Sequence, residues 1–441
     1  MLSALQLSPT VVTLDNGLTV VVHEDHSAPL LATSLLYKVG AAEDQLDGGR
    51  TGKAHLFEHL MFEGSRSIPQ PDSDQGVDAL LGAAGVTTNA WTSHDWTVYT
   101  MEAHPGALEL LFFVESDRMG WLLEGFDDVD LANQRDVVVN ERLGDELSDN
   151  AHPQYTMSWL LYPEGHPYQY PVLGTTTDIL EVEREELEQF FRSWYGPDNA
   201  ILVVVGDIDA ETVVERAEHW FGEVPTGPSP ARTEGIPHEL MGSERWVMVD
   251  DRAHPAMYVA WPTVPHGHPD EAALDVLSLI LSGERGTRLD DPLLYDRGRV
   301  TEVGAWTSNG RLGGEFVVAF ERPDEPLAPA LRVVDREIAR IQRCGVRQEE
   351  VDRVVGAWLG DELPALQDAD VLADVLAVCA ANHGDADCWS EEMQTVASVT
   401  PEDVQRVART WLGEDRILLS VVAPGEDEVF ALKNSSRAYP P

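Results

Sequence analysis

Lysine is almost missing from this chain: Lys38, Lys53 and Lys433 are the only three among 441 residues. Arginine does not make up the shortfall, since 30 Lys+Arg face 77 Asp+Glu for a formal charge of −47. So acidic a surface repels phosphate backbones and excludes nucleic acid as a partner. It fits either a solvated acidic coat adapted to salt, which screens the self-repulsion, or an acidic enclosure that attracts basic peptides. Cysteine is scarce too. Cys344, Cys379 and Cys388 are too few, and lie too late in the chain, for a disulfide framework, so nothing demands an oxidising compartment. Cys379, His383 and Cys388 match no zinc-ligand spacing either. No stretch reaches the ~18 apolar residues of a membrane span, and Met1 to Thr10 lacks a basic segment leading into an apolar run. The expectation is an untargeted cytoplasmic chain with no membrane span.

What is present reads as an ordinary folded protein, with 43% hydrophobic and 24% charged residues. The length exceeds the ~250–300 residues at which single cores stop growing, so at least two domains are expected. Alternating or β-branched runs at Leu18 to His23 and Leu30 to Tyr37 predict two strands of a hairpin or meander. A continuous apolar helix follows at Ala54 to Phe62, then a strand pair around Val86 to Ala90 and Trp96 to Met101. Helices are predicted at about Gly106–Leu122, Val129–Leu147 and Arg184–Trp194, before a fully apolar strand, Ala200–Val205. The segment from Val224 to Glu239 holds Pro225, Pro228, Pro230 and Pro237 without periodicity, which marks a linker.

Across that linker the chain repeats itself. Phe191 to Asp207 reads F-R-S-W-Y-G-P-D-N-A-I-L-V-V-V-G-D, and Ala408 to Gly425 reads A-R-T-W-L-G-E-D-R-I-L-L-S-V-V-A-P-G, pairing Trp194 with Trp411 and Gly196 with Gly413. The reading is an α+β protein of two homologous domains, residues 1–223 and 242–441, joined by a linker at 224–241. Setting Leu60–Gly64 against Leu279–Gly283 places Leu277 and Ser278 opposite Glu58 and His59. Only the first copy retains that chemistry.

The chemistry lies in His55-Leu56-Phe57-Glu58-His59. On a helix, positions i and i+4 face one side a turn apart, so both imidazoles can reach one ion. Zinc accepts two histidine nitrogens, needs a third protein ligand, and keeps a fourth position open in catalytic centres. Glu58 points nearly with His55, close enough to act on a water without ligating. The alternative is a pair of satisfied core histidines, because Ala54, Leu56, Phe57, Leu60, Met61 and Phe62 make this helix apolar nearly all round. Two histidines and a carboxylate buried there nevertheless demand partners.

The string H-x-x-E-H is an inverted zinc motif. With its surroundings, G-K-A-H-L-F-E-H-L-M-F-E-G-S from Gly52 to Ser65, it resembles the pitrilysin/insulinase family of metallopeptidases, in particular the mitochondrial processing peptidase-like branch of short subunits. The resemblance implies a third ligand on a downstream helix, and the matching stretch, Gln134 to Glu141, makes that ligand Glu141. Gln134 stands where the family usually has a glutamate, and its carbonyl can accept a ring N–H from a ligand histidine. By the same resemblance the strand beside the metal, Thr88 to Tyr99, would pair with substrate backbone at Asn89 and Ala90, while His94 and Asp95 read as turn residues.

Likeness to this family thus implies one zinc ion per chain, held by His55, His59 and Glu141, with Glu58 as acid and base. Each domain would be a mainly antiparallel sheet packed with helices, and the two together half of a clam-shell chamber for unfolded peptides. Catalytically complete relatives carry an arginine and a tyrosine seven residues apart in the degenerate half. Leu294 and Thr301 occupy those places here, and Tyr295 and Arg297 have the wrong order and spacing. The expectation is therefore an endopeptidase subunit partnered by a homologous zinc-less subunit that supplies the pair. The competing readings are a non-catalytic scaffold subunit of the same fold and a metal-sensing module that would not need Glu58.

Overall fold

The computed structural model describes all residues except 1–6, 48, 72, 126, 147–150, 229–230, 237–239, 251–253, 297, 324 and 440–441. Two compact units emerge, and they cut across the sequence halves. The first comprises Met1–Leu143, Pro171–Thr233 and Asp361–Met393; the second comprises Gly144–Tyr170, Glu234–Gly360 and Gln394–Pro441.

The sheet of the first unit is built from β1 (Thr10–Thr13), β2 (Thr19–Glu24), β3 (Leu31–Tyr37), β4 (Thr87–Thr92), β5 (Thr97–Ala103) and β6 (Ala200–Gly206), in the order β1-β2-β6-β3-β5-β4. Only β2 and β6 run parallel. The hairpin expected from β2 and β3 does not form, because β6 lies between them. All seven residues of β6 are buried, and a strand apolar on both faces belongs in the middle of a covered sheet. One face carries helix α1 (Lys53–Leu60), the helices Leu108–Trp121, Arg184–Trp194 and Ala210–Phe221, and the apolar residues of α2 (Asp128–Glu146).

The second sheet, β12-β7-β11-β8-β10-β9, uses β7 (Ser243–Val249), β8 (Ala256–Thr263), β9 (Glu302–Gly310), β10 (Gly313–Glu321), β11 (Arg416–Val422) and β12 (Ser436–Arg437). Its order from β7 to β9 repeats that from β2 to β4, and β7 again pairs parallel with β11. The repeat read in the sequence is thus a repeat of topology, and both units are α+β.

The remaining face of each sheet is covered by one helix drawn from the opposite half of the sequence. Helix α3 (Ala151–Leu161) places Met157 and Leu161 on the second sheet against Tyr258, Ala260, Val317 and Leu419. Helix α4 (Ala369–His383) places Leu372, Ala373, Leu376 and Ala377 on the first, against Ala32, Leu36, Ile201 and Val203. Cysteine usage also departs from expectation: Cys379, in α4, is bonded to Cys388 at an S–S distance of 2.05 Å. A helix end and the turn after it bring together two residues that spacing alone left unpaired.

Candidate metal centre

Helix α1 starts at Gly52, whose φ of 87° is open to glycine at little cost. A Cβ there would lie 2.8 Å from the Leu173 carbonyl oxygen, so the position also needs the absence of a side chain. The cap comes from a distance. The Asp44 carboxylate accepts the Gly52 N–H at 2.6 Å and the Ala54 N–H at 2.9 Å, meeting two of the donors that a helix start leaves open. Burial pushes Asp44 up to about 7, against the pull of Lys53 and the two amides. Further along, Tyr195 donates to the Ala54 carbonyl at 3.4 Å and Tyr99 to that of Phe57 at 3.3 Å. The Phe57 ring packs against Phe190, Phe191 and Tyr195. A helix pinned at its cap, carbonyls and apolar side holds the direction of its remaining side chains.

Those side chains are His55, Glu58 and His59. The two imidazoles lie 4.8 Å apart, centroid to centroid. From α2, Glu141 brings Oε2 to 3.2 Å from His59 Nε2 and 3.7 Å from His55 Nε2. The hydrogen bond with His59 holds the Glu141 carboxyl below its usual range, with both imidazoles adding to the pull and burial opposing it. Among the described residues these three form a group whose donor atoms all lie within 4.8 Å of one another. Two imidazole nitrogens and one carboxylate oxygen match the three protein donors of a catalytic zinc centre.

Glu58 stands beside the group, with Oε2 3.9 Å from His55 Nε2. Its carboxylate accepts the Thr92 hydroxyl at 2.6 Å. Burial raises the Glu58 pKa, while Thr92 and His59 pull it back and Glu141 adds to the rise. Thr92 ends β4, the outermost strand of its sheet. Ala90, on that strand, packs toward the α1 side of the sheet, and Asn89 is exposed. His94 and Asp95 fall in the β4–β5 turn, where Ser93 Oγ accepts the N–H groups of Asp95 and Trp96.

Gln134 does not meet a histidine. Its amide nitrogen donates to Glu63 Oε1 at 2.5 Å, because Glu63, one turn past His59, is the acceptor that this part of α2 faces. Thr92, Asp44 and Glu63 are the residues of this centre that the sequence did not single out. Thr92 sits within the strand named from resemblance, but nothing local links Asp44 to a helix that starts eight residues later.

Two sequence profiles match the chain: insulinase (peptidase family M16) over residues 19–143 and the M16 peptidase inactive domain over residues 181–357. The chain belongs to the insulinase family. An uncharacterized zinc protease of Streptomyces coelicolor is 26% identical over 94% of this chain and 90% of its own length. Among solved structures, a protease from Helicobacter pylori matches with a TM-score of 0.84 at 21% identity, covering 94% of this chain and 99% of that one. The periplasmic protease PqqL of Escherichia coli matches with a TM-score of 0.77 at 19% identity, over 97% of this chain but 49% of that one.

In the second unit the helix Glu271–Leu281 carries Leu277 and Ser278, both buried, at the places of Glu58 and His59. Leu294 is half-buried, and Thr301 Oγ1 lies 3.4 Å from Glu321 Oε2. Tyr295 stacks under Arg285 at 5.4 Å. Arg297 lies outside the described residues.

Proposed function

We propose that this member of the family is a zinc-dependent endopeptidase acting on unfolded peptides. The observation that carries the reading is the convergence of His55, His59 and Glu141 with Glu58 held beside them but outside the donor group. Zinc bound there would polarise the scissile carbonyl and lower the pKa of a water towards ~7. Thr92 orients Glu58 by engaging Oε2, which leaves Oε1 to take a proton from the attacking water. Glu58 then returns that proton to the leaving amine. The open edge of β4 at Asn89 and Ala90 suits an added strand of substrate, which supplies affinity through the backbone with little demand on sequence.

A scaffold role is less well supported, because a subunit that only held others together would need neither the donor group nor a half-buried Glu58 held by Thr92. Leu294 and Thr301 lack the donors of an arginine and a tyrosine. We therefore read the chain as the catalytic subunit of a heterodimer with a homologous zinc-less partner, in the processing-peptidase manner. The span of this chain over about half of PqqL is in keeping with a unit that works in pairs. The expectation of a cytoplasmic site loses support from the Cys379–Cys388 bond, since cytosolic thiols usually stay reduced.

The test compares zinc content and cleavage of a generic unfolded peptide by wild type, Glu58→Gln and His59→Ala. Glu58→Gln should keep its zinc and lose at least about a hundredfold in turnover, as expected when a general base is removed. His59→Ala should lose both. Unchanged hydrolysis by Glu58→Gln would remove Glu58 from the mechanism.

A further inference from the structure

On the β8-β10-β9 side of the second sheet, the face packed by α3 contains a cavity of about 380 Å³. Its shape follows from register. Gly304 pairs with Ala319, which pairs with Tyr258, so two of the three residues in that cross-strand row are small and leave a hollow. Trp306, two residues along β9, leans over Gly304, with ring atoms 3.5 and 3.7 Å from where a Cβ would sit. Tyr258 stands at the other side of the hollow. Two residues along the strands the other way, Glu302 and Glu321 are directly paired and also line the cavity.

Like charges placed opposite each other in a sheet are destabilising. Among the described residues neither carboxylate forms an ion pair, and the Glu321 carboxylate accepts a hydrogen bond from the Thr301 hydroxyl alone, at 3.4 Å. Their field reaches the aromatic wall. Burial pushes the Tyr258 phenol up to about 12, with Glu321 and then Glu302 adding to the shift. Aromatic faces beside unneutralised carboxylates form a receptor for an organic cation, which gains from the ring quadrupole as well as from the charges. A small hard cation would instead require several oxygen ligands at close range.

We propose that this cavity binds the side chain of a lysine or arginine carried by a peptide. Peptide as the carrier rests on the peptidase reading; the cation site itself does not. The two can fail separately, because binding is measured without turnover.

The experiment uses the full chain carrying Glu58→Gln, so that nothing is cut. Fluorescence anisotropy follows a dye-labelled, end-blocked Gly/Ser/Ala peptide containing one arginine, against the same peptide containing neutral citrulline. A lysine and norleucine pair repeats the comparison, and a citrulline peptide with a free N-terminal amine tests the chain terminus. The arginine and lysine peptides should bind about tenfold tighter than their neutral counterparts. The added pair Glu302→Gln and Glu321→Gln should abolish that preference, and so should Ala319→Leu, which fills the floor without changing charge. The thermal midpoint of the glutamine pair should hold or rise, because a like-charge pair is relieved. Equal affinity for arginine and citrulline would overturn the proposal. So would binding confined to the free-amine peptide, or a preference that survives both variants, as diffuse attraction to a chain of charge −47 would.

Discussion

The Asp44 side chain shows how a residue outside the motif can set the motif's geometry. It meets the Gly52 and Ala54 amides at the start of the helix that carries His55. Asp44→Ala would leave both buried donors without their acceptor, at a cost of about 1–3 kcal/mol for each unsatisfied group. The expected result is a lower midpoint of chemical unfolding and reduced zinc occupancy, both restored in part by Asp44→Asn, which keeps one acceptor. Undiminished zinc binding by the alanine variant would show that the helix is placed without this cap. Glu315 gives a prediction of a different kind. Its Oε2 has no hydrogen-bond partner, and burial alone pushes the group up to about 7. The folded state therefore holds a proton that the unfolded state releases near 4.5, so the stability linked to Glu315 is present below that value and is lost as pH rises through about 7. Glu315→Gln should flatten the fall in thermal midpoint between these two values and stabilise the protein at pH 8 by on the order of 2 kcal/mol. A fall of unchanged slope in the variant would assign it to other groups.

At the scale of elements, β4 is held from both faces of its sheet. Thr92 reaches Glu58 on one side, while on the other Asp374 of α4 accepts the Ser34 hydroxyl at 2.6 Å and the Trp91 indole N–H at 3.4 Å. Asp374→Ala should loosen this outer strand. Faster amide exchange in β4 and a raised KM with little change in kcat would be the signature, because the strand is where substrate is expected to lie. An effect on kcat alone would argue that Asp374 acts elsewhere. Most elements were legible before the structure: the helix Arg184–Trp194 falls at the expected residues, and β3, β6 and α2 within one or two of them. What was not legible was adjacency. Periodicity marks β2 and β3 as strands, but only the competition for the middle of the sheet decides that β6 separates them. The histidines and Glu58 could be placed from helical spacing alone, whereas Glu141 came from resemblance and Thr92 from neither. A hydroxyl at the end of an edge strand carries no local pattern that ties it to a glutamate on a helix.

For the whole molecule, the strongest expectation is dependence on a partner. Peptidase activity of the purified chain should be low alone and rise on titration with a zinc-less homologue that retains the arginine and tyrosine. Full activity in isolation, with no gain from such a partner, would sink the heterodimer. The exchange of α3 and α4 between sequence halves has its own consequence, in time. The first sheet's last strand, β6, ends at Gly206, yet the helix that covers its open face is complete only at His383. At synthesis rates of ~5–20 residues per second, the nascent first unit waits on the order of ten seconds or more with Ala32, Leu36, Ile201 and Val203 bare. A chain halted on the ribosome in the linker would keep that face bare, so ribosome-bound holdases should stay on it, and no amount of waiting could finish its folding.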